Sequence, residues 1–188
     1  YGADALNNPA TDPSIVSDIQ TNSSNWAVSG QIQPTLLGMD KIYNGPENET
    51  ATGPNFVRSY TIRAFLAQGQ TINDLTFTDF LPNTMQFIPG SLVVTSGGTT
   101  LNASQYTIVD APGTPGAQNA PNNDLVVRLN QAVTGAGAGT AAATLTFSYF
   151  IPLNDANGTA VINATSGDDH FVDNDAAVTG QWLPTDTR

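Results

Sequence analysis

The chain has 188 residues, enough for one large domain with a sizeable core, and its 16 Asp and Glu against 5 Lys and Arg give a formal charge of -11. Such an acidic surface argues against nucleic acid and anionic membranes as partners, because both need basic surfaces. The absence of cysteine excludes disulfides and thiol metal sites, and no apolar run approaches the roughly 20 residues of a membrane span.

Short segments of alternating apolar and polar residues, separated by turn-forming residues, run through the chain, and no segment has helical periodicity. This pattern predicts an all-β chain folded as an antiparallel β-sandwich of about nine or ten strands, with a closed barrel as the alternative. Strands 56–66 and 75–81 are expected to be antiparallel neighbours, and residues 96–98 to form a hairpin turn. The predicted strands are residues 26–32, 36–43, 56–66, 75–81, 87–95, 106–109, 125–129, 143–151, 160–165 and 172–182.

One segment of the chain occurs twice in similar form. The sequence AVSGQIQPT at residues 27–35 returns as AVTGQWLPT at residues 177–185. This similarity predicts a tandem repeat. Residues 1–35 would then be the tail of a preceding repeat or an N-terminal extension, 36–185 a complete repeat domain, and 186–188 the start of a linker. Alternatively, the two segments are similar edge strands of one domain.

Three predicted strands each place one polar side chain on a face that is otherwise apolar. These side chains are Lys41, which is the only lysine of the chain, Asp79 and Asn174. Burying such a group unpaired costs several kcal/mol or forces it to become neutral, so we expect the three groups to meet. Their companions in phase are Leu37, Met39 and Tyr43 for Lys41, Leu75, Phe77 and Leu81 for Asp79, and Val178 and Trp182 for Asn174.

A lysine, a carboxyl group and an asparagine are the reactants for an amide bond between side chains. Desolvated Lys41 can lose its proton and attack the carboxamide carbon of Asn174, while Asp79, kept protonated by burial, polarises the carboxamide oxygen and transfers protons as ammonia leaves. Asn163 is a second candidate acceptor, although strand phase favours Asn174. The alternative interpretation is a buried ion pair of Lys41 and Asp79, or a Lys41 side chain that extends to the edge of the sheet.

Four short motifs resemble those of the tandem repeat domains of bacterial surface adhesins and of isopeptide-forming fimbrial subunits. They are Lys41 on the opening strand, Tyr-Thr-Ile at 60–62, Thr-Asp-Phe-Leu-Pro at 78–82 and Asn-Asp-Ala at 174–176; Phe80 departs from the Thr that is common there. The resemblance implies an immunoglobulin-like sandwich at the extracellular cell surface. It also implies a stalk or spacer module with neighbouring repeats of the same chain as partners, a Lys–Asn isopeptide bond, and no enzymatic activity beyond this single-turnover crosslinking.

Acidic residues crowd a loop near the C-terminus, and residues 155–158 resemble a fragment of a calcium loop. The crosslinking chemistry requires no cofactor, and calcium is a candidate ligand of this loop. A solvated acidic loop and an Asx-type turn at Asp155 are the simpler interpretation, because no full ligand spacing is present. The acidic residues of the loop are Asp168, Asp169, Asp173 and Asp175.

Two other functions stay open from the sequence. A ligand-binding adhesion domain, for example for carbohydrate, could use the long loops at residues 44–54 and 111–123. A secreted hydrolase with paired carboxylates is the third possibility, because its residues need not form a recognisable motif. Nucleophile elbows, metal-binding histidine pairs and phosphate loops are missing from the sequence, which disfavours an enzyme that acts on an external substrate.

Overall fold

The computed structural model of the chain describes residues 36–45, 53–82, 84–112, 123–137, 139–155, 157–161 and 174–183. Within these ranges, eleven β-strands form two antiparallel sheets, which confirms the predicted all-β sandwich. The strand number is slightly higher than predicted because three of the strands contain only two residues each. Over the same ranges, no helix is long and apolar enough to cross a membrane.

Strands that follow one another in the sequence often lie in different sheets. The first sheet has the order β1-β2-β10-β5-β6, with β4 also paired to β10, and the second has the order β11-β3-β8-β7, with β9 also paired to β3. The strands are β1 (Leu37–Asn44), β2 (Arg58–Leu66), β3 (Thr71–Phe80), β4 (Gln86–Phe87), β5 (Val93–Ser96), β6 (Thr99–Thr100), β7 (Tyr106–Asp110), β8 (Asp124–Leu129), β9 (Val133–Thr134), β10 (Ala143–Phe150) and β11 (Asp175–Leu183).

The hydrophobic core lies between the two sheets and is built from the inward face of each central strand. Alternating side chains of β2, β3, β8 and β10 point into it, as the period of two in their sequences predicts. Fully buried examples are Ile62, Phe77, Val127 and Phe147. The alternation therefore identified the inward faces of these four strands correctly.

The expected pairing of β2 with β3 is wrong. Strand β2 pairs with β1 and β10 in the first sheet, whereas β3 pairs with β11 and β8 in the second. The intervening residues cross from one sheet to the other, and Gly69 adopts a φ of 71° in this connection. Its N–H donates to the carbonyl of Gly135, whose own N–H donates to the carbonyl of Gln70. Both strands alternate in the same way, so their sequences do not distinguish a hairpin from a connection between sheets.

The predicted strand at residues 87–95 is interrupted. Its two parts, β4 and β5, both pair with β10, and the turn between them contains Pro89 and Gly90. Proline has no N–H for a sheet ladder, and Gly90 has a φ of 82°, so neither residue suits a continuous strand. The hairpin of β5 and β6 is confirmed, with positive φ at Gly97 and Gly98 as a tight primed turn requires.

Strand β11 pairs with β3 along an irregular ladder. The register shifts between Thr179 and Gln181, opposite Asp74, which has a φ of 51°. Because β11 is an edge strand, Trp182 is 50% exposed even though the sequence phase places it on the inner face. Met39 is exposed for the same reason on β1, the edge strand of the other sheet.

The predicted repeat boundaries lie largely outside the described residues. This holds for residues 1–35 and for 186–188, so the tandem repeat and the linker stay predictions.

Candidate crosslinking site

The edge strands β1 and β11 of the two sheets, together with the inner strand β3, bring the three predicted polar residues together. Lys41 lies on β1, Asp79 on β3, and Asn174 directly precedes β11. The Nζ atom of Lys41 lies 2.5 Å from Oδ2 of Asp79 and donates to the main-chain oxygens of Asn174, at 2.8 Å, and Asp175, at 3.3 Å. The lysine thus spans the gap between the two sheets.

The sheet registers explain why this site excludes water. Lys41 is opposite Ile62 on β2, and Asp79 lies between Ala176 of β11 and Leu125 of β8. The side chain of Asp79 has no exposed surface, and that of Lys41 is only 11% exposed. The alternation of each strand therefore points both polar groups into the interior of the sandwich.

The buried polar atoms of the site are incompletely paired. Apart from the ion pair with Lys41, neither carboxylate oxygen of Asp79 accepts a hydrogen bond of regular geometry. The Oδ1 and Nδ2 atoms of Asn174 are also buried without a regular hydrogen bond to any described residue. Most buried side-chain polar atoms in proteins have a partner, so such a cluster indicates either strain or a chemical role.

Burial drives the lysine and the aspartate towards their neutral forms. It raises the pKa of Asp79, and the charge of Lys41 and the neighbouring Asn174 carboxamide oppose this shift only in part. Burial likewise lowers the pKa of Lys41, against the opposing charges of Asp79 and Asp175. The two shifts together favour transfer of a proton from the ammonium to the carboxylate.

An aromatic wall closes one side of the site. The Tyr60 ring lies with its centroid 4.5 Å from Nζ of Lys41, and it stacks on Tyr149 at a centroid distance of 5.0 Å and an angle of 9°. The ring of Tyr43 packs against Tyr60 at 5.7 Å. Sequence reasoning did not assign Tyr60 to the site, although it stands two positions before Ile62, the residue opposite Lys41.

Of the remaining predicted site residues, only Asp175 belongs to the described part of the chain. Asn163, Asp168, Asp169 and Asp173 lie outside the described residues, so the alternative acceptor and the acidic calcium loop stay predictions. Asp175 is at the start of β11, where its carbonyl receives the Lys41 hydrogen bond.

The Asx-type turn at Asp155 agrees with the structure. Its Oδ1 accepts hydrogen bonds from the main-chain N–H groups of Asn157 and Thr159, each at 2.8 Å. The carboxylate thus caps its own turn. The described part of the chain contains no group of three or more acidic or histidine side chains suited to a metal ion.

No protein-family profile matches this sequence, and no curated protein is significantly similar to it. Solved structures of pilins are similar in fold. The full-length major pilin SpaD from Corynebacterium diphtheriae is 23% identical, with 61% of this chain and 26% of that chain covered and a TM-score of 0.41. The pilus backbone RrgB from Streptococcus pneumoniae is 18% identical, with 64% and 28% covered and a TM-score of 0.40.

The T6 backbone pilin of serotype M6 Streptococcus pyogenes is a third similar structure. It is 15% identical, with 77% of this chain and 36% of that chain covered, at a TM-score of 0.37. The chain therefore matches only part of the length of each of these pilins.

Proposed function

We propose that this chain is a structural module of a bacterial surface stalk, adhesin or pilus, in which an amide bond joins Nζ of Lys41 to Cγ of Asn174. The strongest support is the position of Lys41 Nζ, which contacts the Asp79 carboxylate and the backbone of Asn174. The buried carboxamide of Asn174, without a regular hydrogen-bond partner, belongs to the same cluster. This arrangement suits a reaction better than a permanent ion pair, which would be expected to satisfy its polar neighbours.

The reaction begins with a proton transfer over the 2.5 Å contact from the Lys41 ammonium to the Asp79 carboxylate. The neutral amine then attacks Cγ of Asn174, and the protonated Asp79 donates a hydrogen bond to Oδ1 as negative charge develops there. Asp79 next relays a proton from Nζ to Nδ2, the Cγ–Nδ2 bond breaks, and ammonia leaves. The products are one amide, one ammonia and a protonated Asp79.

Burial serves this reaction in two ways. It makes the neutral forms of both Lys41 and Asp79 accessible, and it removes water that would otherwise compete for the polarised carboxamide. Positioning on β1, on β3 and directly before β11 also converts the encounter of amine and carboxamide into an intramolecular step, which can supply a large part of the rate. No external substrate or cofactor takes part, so the activity is limited to one turnover per chain.

A crosslinked module suits a stalk because the bond connects the edge strands of both sheets. The proposal places the chain at the cell surface, with neighbouring repeats of the same protein as its partners. Carbohydrate binding and hydrolysis stay predictions, because much of the two long loops on which the binding hypothesis depends lies outside the described residues.

The intact mass tests the proposal. We expect the wild-type chain to be lighter than its sequence by one ammonia, and the variants Lys41→Ala, Asp79→Ala and Asn174→Ala to have their full sequence masses. Asn163→Ala is the matched control and should still lose ammonia. A wild-type mass equal to the sequence mass would refute the crosslink. If, among the asparagine variants, only Asn163→Ala has its full sequence mass, the acceptor is Asn163.

Trypsin digestion of the denatured chain then locates the bond. The only lysine is Lys41, and an acylated lysine resists trypsin. Cleavage after Arg58 and Arg128 should therefore leave residues 1–58 joined to residues 129–188 in the wild type. In Asn174→Ala, residues 129–188 should be released as a separate peptide, and cleavage after the free Lys41 should divide residues 1–58 into 1–41 and 42–58.

A further inference from the structure

The Tyr60 ring lies beside the Lys41 ammonium, which also contacts three oxygen atoms. The three N–H bonds of an ammonium match the three oxygens around it, which belong to Asp79, Asn174 and Asp175. The ring centroid of Tyr60 lies 4.5 Å from the same nitrogen, within the range of a cation–π contact. Tyr60 thus contacts the group that must both lose a proton and attack.

Neighbouring aromatic rings hold the Tyr60 ring in place. Tyr149, which is fully buried on β10, stacks on it almost in parallel, and Tyr43 on β1 packs against it at an angle of 55°. A third ring, Phe147, lies 6.1 Å away on β10. A lysine side chain is flexible, so a fixed aromatic face near its end restricts where Nζ can go.

We propose that Tyr60 is a positioning residue for the crosslinking reaction, whose ring face holds Nζ of Lys41 against Asp79 and the backbone of Asn174. This role rests on the proposed function. The contact acts through the π face rather than through the hydroxyl, because Nζ lies over the ring. Tyr60→Phe should therefore preserve it, and Tyr60→Leu should remove it while keeping the site apolar.

The ring affects two measurable quantities in different ways. It restricts the amine, so its removal lowers the maximum crosslinking rate, which is reached where the pair holds one proton as neutral Lys41 and protonated Asp79. It also stabilises the ammonium, so its removal moves the pKa of Lys41 further down. A general loosening of the site would have the opposite effect on the pKa, because water would return it towards the ordinary lysine value. The direction of the pKa change thus separates positioning from structural damage.

Several other titratable or charged groups surround the lysine and must remain in place during the comparison. They are Tyr43 on β1, Asp79 on β3, Asp124 on β8, Tyr149 on β10 and Asp175 on β11. Phe65→Leu is the matched control, since it removes a ring from the opposite face of the same strand, β2, and leaves the Tyr60 face over Nζ.

The experiment uses the full chain and has two parts. In the first part, denatured protein that has not yet reacted is refolded at a series of pH values. The rate of ammonia loss during refolding is followed by mass. We expect the maximum rate of Tyr60→Leu over this pH range to be roughly tenfold lower than that of the wild type, and the maximum rates of Tyr60→Phe and Phe65→Leu to be within about threefold of it. An unchanged rate in Tyr60→Leu overturns the proposal.

The second part does not depend on crosslinking. In an Asn174→Ala background, ¹³C labelling of lysine gives one side-chain signal, because Lys41 is the only lysine. Its NMR titration should show a pKa lowered by about half a unit to one unit in Tyr60→Leu and unchanged in Tyr60→Phe. A pKa that stays or rises in Tyr60→Leu overturns the contact. A wild type that loses no ammonia refutes the proposed function together with the reaction role, whereas the titration still decides whether the ring holds the ammonium.

Discussion

A carboxylate without exposed surface persists in a β-sandwich only if its charge is matched or removed. Asp79 meets this condition through Lys41, and the pair is close enough to share a proton. Burial shifts the pKa values of both members towards the neutral forms, because desolvation of the two charges opposes their attraction. As an ion pair alone, the two side chains therefore contribute little to stability. The same features that make the pair costly are those that crosslinking requires.

The pH dependence of stability should report these two shifts in the unreacted chain. In Asn174→Ala, the raised pKa of Asp79 means that its stabilising contribution is present below about pH 4 and is lost as the pH rises through the folded-state value. The lowered pKa of Lys41 means that its contribution is present above about pH 10.4 and is lost as the pH falls through the folded-state value. We therefore expect a minimum in the free energy of unfolding between the two shifted pKa values.

Urea unfolding of Asn174→Ala at a series of pH values measures this curve. The control adds Lys41→Met and Asp79→Leu to the same chain, which replaces the pair by apolar side chains. The difference between the two curves isolates the pair from the other carboxylates. If the two curves of unfolding free energy against pH are parallel over the whole range, the pKa values of Asp79 and Lys41 are not shifted by folding.

At the scale of the elements, the site exists because β1 and β11 are edge strands on the same side of the sandwich. They belong to different sheets and are not paired with each other. The Lys41 side chain connects them by its hydrogen bond to the Asn174 carbonyl. Strand β11 in turn depends on β3, the strand that carries Asp79. The pairing of β11 with β3 therefore controls where the Asn174 backbone and carboxamide lie.

Gly180 is a residue of β11 that packs closely against β3. A Cβ atom there would lie 2.9 Å from Cγ2 of Ile72 and 3.2 Å from the carbonyl oxygen of Asn73, beside the irregular register. Ile72 is buried, so it cannot move away freely. We expect Gly180→Ala to lower the free energy of unfolding by about 1–3 kcal/mol.

Thr179→Ala is the control for this prediction. Thr179 is an exposed neighbour on the same strand, so its truncation should change the stability by no more than about 0.5 kcal/mol. Denaturant unfolding compares both variants with the wild type. Equal stability of the two variants would show that β3 and β11 adjust without cost.

The sequence predicted the strands and the inward residues better than it predicted their pairing. Alternation alone placed Phe77 and Asp79 in the core, because a period of two is a local property. The assignment of β2 and β3 to different sheets depends on which other strands occupy their edges, and that is not local. Tyr60 was missed as a site residue for a related reason, since its contact with Lys41 joins neighbouring strands diagonally.

At the scale of the whole molecule, the proposed bond closes a large loop. Lys41 and Asn174 are 133 positions apart, and every described strand except part of β1 and all of β11 lies between them. By analogy with a disulfide that closes a loop of about 100 residues, the lost entropy of the unfolded chain is worth roughly 5 kcal/mol. Most of this stabilisation comes from the unfolded state and requires no new contact in the folded one.

The closed loop also changes how the chain responds to force. When the two ends of the chain are pulled, force passes from residue 41 to residue 174 through the amide, and the 133-residue span between them carries none. In Asn174→Ala, the same span must bear the load and can extend by about 450 Å when it unfolds, at roughly 3.4 Å per residue. Single-molecule pulling should therefore show this extension in Asn174→Ala and lack it in the wild type and in Asn163→Ala. A wild type that extends as far as Asn174→Ala would show that no covalent bond carries force past the sandwich.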